Sequence, residues 1–385
     1  VRGQPPADAN SISSPASAAA ESWLRLSLAR GIGPRTGRRL VEHFHGIEAL
    51  MRAPERALRQ VDGLGPRLMQ ALHRAVTDGE GPAAILSDCS EHGIRVLCPD
   101  DEAWPQALNG VDDAPLVLFA RGDVACLNHR PLLSVVGARR ASPEGRKLTR
   151  NWCRRFSEAG VGIVSGMAWG IDAAAHRGAL EGPSPTLAVL GCGLAALTEE
   201  QQRQVAAVER QGCVISEFLP RLCARPEHFP RRNRIIAALG AATLVMEADL
   251  RSGSLITARL AAEYGREVLA VPGSVLAENH GGCHLLIREG AQLVENVDQV
   301  LQTLGLEGTA RCRKQRKKAY RPASPAEAAI LEALGGQALH VDVLAETCGL
   351  TLPELSPILL ALELQGVVER LPGSRYMLAV ELQNQ

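Results

Sequence analysis

The chain has 385 residues, enough for two or three domains with sizeable cores. Its 42 basic and 42 acidic residues cancel, so no global field draws nucleic acid to it. Ten cysteines form no C-x-x-C pair and no Cys/His cluster at zinc spacing, so no metal site is expected and they read as small buried hydrophobes of a reducing compartment.

No apolar run approaches the ~20 residues of a membrane span, and a cytoplasmic protein is expected. Residues 1–20 are rich in Ala, Ser and Pro, lack a signal-peptide pattern and are expected to be disordered. Residues 21–82 read as a helical domain. It holds two matching elements, Gly31-Ile-Gly-Pro-Arg35 and Gly63-Leu-Gly-Pro-Arg67, each a tight turn feeding a helix that starts at proline. The pair is similar to a tandem helix-hairpin-helix (or SAM-like) unit. Ten basic against seven acidic residues make it only mildly cationic, and a packing role is the simpler reading. Residues 83–130 are acidic and hold two strand candidates, Ile94–Cys98 and Leu116–Ala120.

From Pro131 apolar strands alternate with helices. The strands fall at 132–136, 161–165, 186–190, 213–216, 243–246, 268–271 and 292–294, as continuous apolar runs. Such runs mark a parallel sheet covered on both faces. The helices fall at about 144–159, 171–180, 199–211, 229–239 and 254–265. The expected fold class is therefore α/β, a doubly wound, extended Rossmann-like core over 83–305, with ligands beyond the carboxyl ends of the strands. Glycine turns gather at those ends: Gly137-Ala-Arg139, Ser165-Gly166, Gly191-Cys-Gly193 and Ser252-Gly-Ser254.

The segment Phe229-Pro-Arg-Arg-Asn-Arg234 leads toward Ser252-Gly253-Ser254 and a helix carrying Thr257. A strand, a small-residue turn and a helix N-terminus make an anion site, and arginines suit phosphate through their forked donors. On a helix, 231 and 234 share a face and 232 points elsewhere. Arg231 and Arg234, with Arg139, are therefore expected to grip phosphate, while Arg232 pairs with an acid such as Glu217 or Glu247. Asp172 and His176, at i and i+4, read as a salt-linked structural pair. Phe229 and Trp169 are the stacking candidates.

A rival reading rests on Gly191-Cys-Gly193-Leu-Ala-Ala196, which fits G-x-G-x-x-A after a strand, with Glu217 where a ribose-binding acid belongs. That pattern belongs to a nicotinamide oxidoreductase. Against it, the turn is not in the first βα unit, and no hydride-transfer arrangement accompanies it. There is no Walker A motif.

Residues 306–323 form a basic linker, with seven Lys and Arg against Glu307. Residues 324–385 read as three helices and a hairpin, a winged helix. Eight acids face Arg370 and Arg375, and its third helix, 353–364, carries no cation. A groove reader needs cations near phosphates, so this module is expected to face protein.

The runs Ser134-Val-Val-Gly-Ala-Arg-Arg-Ala-Ser142 and Ser165-Gly-Met-Ala-Trp-Gly-Ile-Asp-Ala-Ala-Ala-His176 resemble the bacterial DNA-processing protein A (DprA) family. So do Phe229–Arg234, Ser252-Gly-Ser-Leu-Ile-Thr-Ala258, Val271-Pro-Gly273 and Leu286-Ile-Arg-Glu-Gly-Ala291. The resemblance covers 131–296 in order. It implies a non-enzymatic single-stranded DNA binder of natural transformation, with no cofactor and no catalytic residue. Such a protein protects incoming strands and loads RecA recombinase on them, displacing single-strand-binding protein, and its core forms a homodimer. The interface carried over comprises Gly137, Arg139, Ser165, Gly166, His228, Phe229, Arg231, Arg232, Asn233, Arg234, Ser252, Gly253, Ser254 and Thr257. Two departures stand out: Ala195-Ala-Leu-Thr-Glu199 after the Gly-x-Gly turn, where the family often has Tyr-Pro, and His284 after Gly282-Cys283, where many members have Asn. A nucleoside-monophosphate phosphoribohydrolase is the related enzyme, but its Pro-Gly-Gly-x-Gly-Thr turn and catalytic Glu are missing; the corresponding turn here is Arg251–Ser254.

Overall fold

The computed structural model describes residues 15–77, 80–306, 322–335 and 337–378. Two units divide the chain, Val1–Glu307 and Gly308–Gln385. The first opens with six helices: α1 (Pro15–Leu28), α2 (Pro34–His43), α3 (Ile47–Met51), α4 (Glu55–Leu58), α5 (Pro66–Thr77) and α6 (Glu80–Glu91). Both Gly-apolar-Gly-Pro-Arg turns feed helices that start at their proline. Gly31 and Gly63 sit at φ of 85° and 79°, where a side chain would be strained. Trp23, Leu24 and Leu26 of α1 are buried against Leu40, Leu50 and Leu72. That anchoring extends helix back into 15–20, which the sequence assigned to disorder. The rest of that stretch, 1–14, lies outside the described residues, as does 307–321, most of the expected basic linker.

The apolar runs become the strands of one sheet. Its members are β1 (Arg95–Leu97), β2 (Leu118–Gly122), β3 (Leu132–Val136), β4 (Gly162–Ser165), β5 (Thr186–Val189), β6 (Cys213–Ser216), β7 (Ala242–Val245), β8 (Glu267–Ala270) and β9 (Gln292–Leu293). The order is β1-β2-β6-β5-β4-β3-β7-β8-β9. Strands β3 to β9 pair in parallel, whereas β2 joins β6 antiparallel and carries β1 at the edge. From β3 the chain winds one way to β6 and then resumes at β7 on the other side. The switch point therefore lies between the carboxyl ends of β3 and β7.

Helices α7 (Pro143–Glu158), α8 (Ile171–Ala179), α9 (Glu199–Glu209), α10 (His228–Leu239), α11 (Ser254–Glu263), α12 (Gly281–Arg288) and α13 (Val297–Thr303) complete this unit. The central strands β3 to β7 are buried along their whole length, as continuous apolar runs require. Helices α6, α12 and α13 were not legible beforehand. The Gly-Pro pair near the start of α6 and the Gly-Gly pair opening α12 read as turns, though each sits in a first turn where helix-breaking residues are tolerated.

The second unit holds α14 (Pro325–Ala333), β10 (Leu339–His340), α15 (Val341–Cys348), α16 (Leu352–Leu364), β11 (Val368–Leu371) and β12 (Arg375–Leu378). Its sheet is three-stranded, β10-β12-β11, where a two-stranded hairpin was expected. Strand β10 has only two residues, too short for an alternating pattern. Among the described residues no single helix is long and apolar enough to cross a membrane.

Candidate nucleic-acid interface

Arg139 follows β3 at the switch point and is exposed. Its guanidinium lies 4.8 Å from the centre of the Phe229 ring on α10. Among the described residues it pairs with no carboxylate, so its charge faces solvent with most donors unused. The Phe229 ring rests on Gly191, where an added Cβ would come within 3.2 Å of it. His228, buried beneath, stacks on Phe218 with centroids 4.3 Å apart and bonds the Gly191 carbonyl at 3.2 Å through Nδ1. The glycine after β5 thus serves as a seat for Phe229.

The arginines of α10 divide differently from expectation. Arg231 and Arg234, the pair on one face, both reach Glu217: Arg231 Nε lies 3.1 Å from Oε1, and Arg234 Nη2 donates to Oε2. Arg234 is nearly enclosed, while about half of the Arg231 side chain remains exposed and lies over Phe218. Arg232, expected to take the acid, instead turns under the sheet edge. Its Nη1 donates to the Gly166 carbonyl at 2.6 Å and to that of Val189. The reason is that the face 231 and 234 share meets the end of β6, whereas 232 points at carbonyls left unpaired beyond β4 and β5. Burial lowers its pKa to about 10, so it stays charged at neutral pH. Gly166 is where it is because any Cβ would fall on that guanidinium.

Asp172 and His176 make no salt link. His176 Nδ1 bonds Thr186 Oγ1 at 2.8 Å, and burial holds the ring neutral, with a pKa down to about 3. Burial raises Asp172 to about 6, against the pull of Arg232 and of the Ala168 and Gly166 N–H groups.

The other expected positions are mostly internal. Ser165 is fully buried and donates to the Val135 carbonyl at 2.7 Å. The backbone of Gly137 packs against Ile171 and the Glu247 carbonyl. Ser254 and Thr257 are buried. Ser252 and Ser254 bond one another at 2.7 Å, and the N–H groups of 254, 255 and 256 are taken by Ser252 Oγ, Ser252 O and Gly253 O. That turn closes on itself and is not the open anion site read from the sequence. Asn233 ties α10 to it, donating to the Gly253 carbonyl at 3.3 Å. Of the fourteen positions, Gly137, Arg139, Phe229, Arg231, Asn233, Ser252 and Gly253 keep access to solvent at this edge.

Two features tell against a bound dinucleotide. The Gly193 and Ala195 N–H groups donate to Leu222 O and Pro220 O, both at 2.8 Å, so this turn offers fewer free donors to a pyrophosphate. Glu217, the proposed ribose acid, is held by two arginines. At the switch point itself a carboxylate already caps a helix, a partner the sequence did not disclose. Glu247, fully buried, accepts from Ser142 N at 2.9 Å, from Ser142 Oγ at 2.9 Å and from Asn279 Nδ2, at the N-terminus of α7. Asp88, Glu91 and His92 converge within 4.8 Å, but Arg221 already bonds Asp88 at 2.6 Å.

The fold and this edge define a class: a doubly wound α/β core with a helix-hairpin-helix front and a winged-helix tail. Its strand ends present arginine and an aromatic ring. The profile described as DNA recombination-mediator protein A matches residues 95–305, the DprA winged helix domain 314–374 and the helix-hairpin-helix motif 24–79. The chain belongs to the DNA recombination-mediator protein A family. It is 39% identical over 359 residues to Protein Smf of Escherichia coli, covering 92% of this chain and 94% of that one. The solved structure of DNA processing protein A from Streptococcus pneumoniae superposes with a TM-score of 0.64 at 33% identity, over 74% of this chain and 97% of that one. That of Helicobacter pylori, whose title describes a single-stranded DNA binding mode, gives 0.50 at 28% identity, over 55% and 95%.

Proposed function

We propose that the carboxyl edge of the sheet binds single-stranded DNA without catalysing a reaction on it. Arg139 takes a phosphate and Phe229 receives a base. The observation that carries this reading is Arg139 itself: exposed, in no ion pair among the described residues and set over an aromatic ring. Strand binders combine these two elements, because every base has a stacking face and every nucleotide a phosphate. A splayed strand fits such an edge; a duplex, with its bases paired inward, does not. The matching Helicobacter pylori protein supports the same ligand. The wider role that follows is the handling of incoming strands in natural transformation, in the cytoplasm, as a homodimer that delivers them from single-strand-binding protein to RecA.

The test is a titration of one labelled oligonucleotide, single-stranded and then duplex, at two salt concentrations. Arg139→Ala should weaken single-strand binding several-fold to a hundredfold, the ~1–3 kcal/mol of a charge-assisted contact. Arg139→Lys should recover part of it. Wild-type affinity and salt slope in Arg139→Ala would place the interface elsewhere. Saturable turnover of NAD(P)H or a nucleoside monophosphate would revive the enzyme reading.

A further inference from the structure

The turn from Gly166 to Gly170, between β4 and α8, is built at some cost and presents one residue. Met167 sits at φ 56°, a left-handed conformation that a long side chain rarely adopts, and Gly170 at 84°. Such conformations persist where surroundings over-determine them, and they gather at functional sites. The turn is fixed from below at both polarities. Arg232 holds the Gly166 carbonyl at 2.6 Å, and Asp172 accepts from the Ala168 N–H at 3.4 Å. Gly170 packs so tightly on the backbone of Ala138 and Arg139 that no side chain fits there, and the Ile171 N–H bonds the Ala138 carbonyl at 3.2 Å. What this arrangement exposes is Trp169. Its accessibility is 63%, whereas Trp23, Trp104 and Trp152 are exposed by 2 to 5%. Packing gives no reason for a large ring to stand in water on a turn pinned this firmly.

We propose that Asp172 and Arg232 are positioning residues that set this turn so that Trp169 stacks a second base of a bound single strand, beside the Phe229–Arg139 pair. The inference rests on the single-strand reading above. Because Gly170 touches the residue that takes the phosphate, a strand gripped at Arg139 passes the indole. The bound strand then meets ring, guanidinium and ring in turn. Asp172 and Arg232 touch no nucleotide; they act through the turn. Loss of the carboxylate's charge weakens its hold on the Ala168 N–H and leaves Arg232 without its counter-charge, so the indole loses its fixed pose.

The experiment uses the full chain and oligothymidylate as the probe, read by labelled-strand anisotropy and by tryptophan emission. Trp169 is the exposed indole and supplies the quenchable signal. Trp169→Ala, at a surface position, should weaken binding about five- to thirtyfold, with Trp169→Phe recovering most of it. Wild-type emission should be quenched on binding, and Trp169→Phe should lose the quench. Asp172→Asn should weaken binding in the wild-type background and have no further effect on top of Trp169→Ala. An Asp172→Asn loss of equal size in both backgrounds would show a merely structural carboxylate and overturn the positioning role. If Asp172→Asn fails to fold, Met167→Gly loosens the same turn with the charges intact and is read in the same cycle. Trp169→Ala binding like wild type, while Arg139→Ala is weakened, would overturn the inference and leave the single-strand reading standing. Failure of the wild-type chain to bind the probe would remove both.

Discussion

Replacing Glu247 with glutamine tests what occupies the switch point. The carboxylate accepts two bonds from Ser142 and one from Asn279 while fully buried, and it lies at the positive end of α7. Glutamine keeps the shape, loses the charge and must point its NH2 at one of three donors. A hydrogen bond to a charged group is worth about 1.5–3 kcal/mol, and the helix terminus adds up to about 2 kcal/mol for a buried anion. Allowing for the bonds glutamine retains, a loss of about 3 kcal/mol is expected, or a fall in Tm of about 5 °C for a unit of this size. The assay is a melt followed by tryptophan emission, since all four tryptophans lie in the first unit and the signal ignores the winged helix. Gly145→Ala should destabilise as well, although alanine favours helix, because its methyl would fall on the Glu247 carboxylate. A Glu247→Gln melt within 2 °C of wild type would refute the view that this carboxylate is the anion of the site.

Glu217→Gln should tighten single-strand binding severalfold by freeing Arg231 from its partner, while lowering Tm, because enclosed Arg234 loses its counter-ion; weaker binding by the folded variant would show that the pair orders the site. Acid should destabilise the first unit through His176, which stays neutral down to about 3 when folded but titrates near 6.5 when unfolded. Its contribution is intact above 6.5 and is lost progressively as pH falls below it, on the order of 1 kcal/mol per pH unit, and His176→Gln melts should lack that part. Asp172 acts with opposite sign, since its folded pKa of about 6 exceeds the unfolded 3.8 and stability rises as pH falls through that window. Asp172→Asn should therefore lose more stability on acidification than wild type. Deletion of 324–385 should leave most single-strand binding intact, because α16 carries no Lys or Arg; a large loss in the folded remainder would contradict the charge argument.

The sheet was legible because both faces of β3 to β7 are covered, which forces unbroken apolar runs. The twin proline-led helices were legible because turn chemistry is local. The division of labour among Arg231, Arg232 and Arg234 was not. Helical spacing shows which two share a face, but which face meets Glu217 and which meets the Gly166 carbonyl depends on how α10 lies across strand ends far away in sequence. The same holds for Ser165, which reads as a polar residue at a strand end and proves to be bonded inward to Val135. Glu247 and Asn279, 32 residues apart, meet only because β7 and α12 flank the switch point. The G-x-G-x-x-A turn misled because its spacing is that of a dinucleotide turn, while its donors are met by carbonyls of 220 and 222.

The two outermost strands of the nine carry a consequence for assembly. β1 has three residues and β9 two, and each pairs on one side only. A second copy adding itself edge to edge would gain a few ladder bonds at most, and short edges of this kind discourage such growth. Any pairing of two cores would therefore have to be written in side chains, editable one residue at a time. Edges this short keep the core from polymerising through its own backbone.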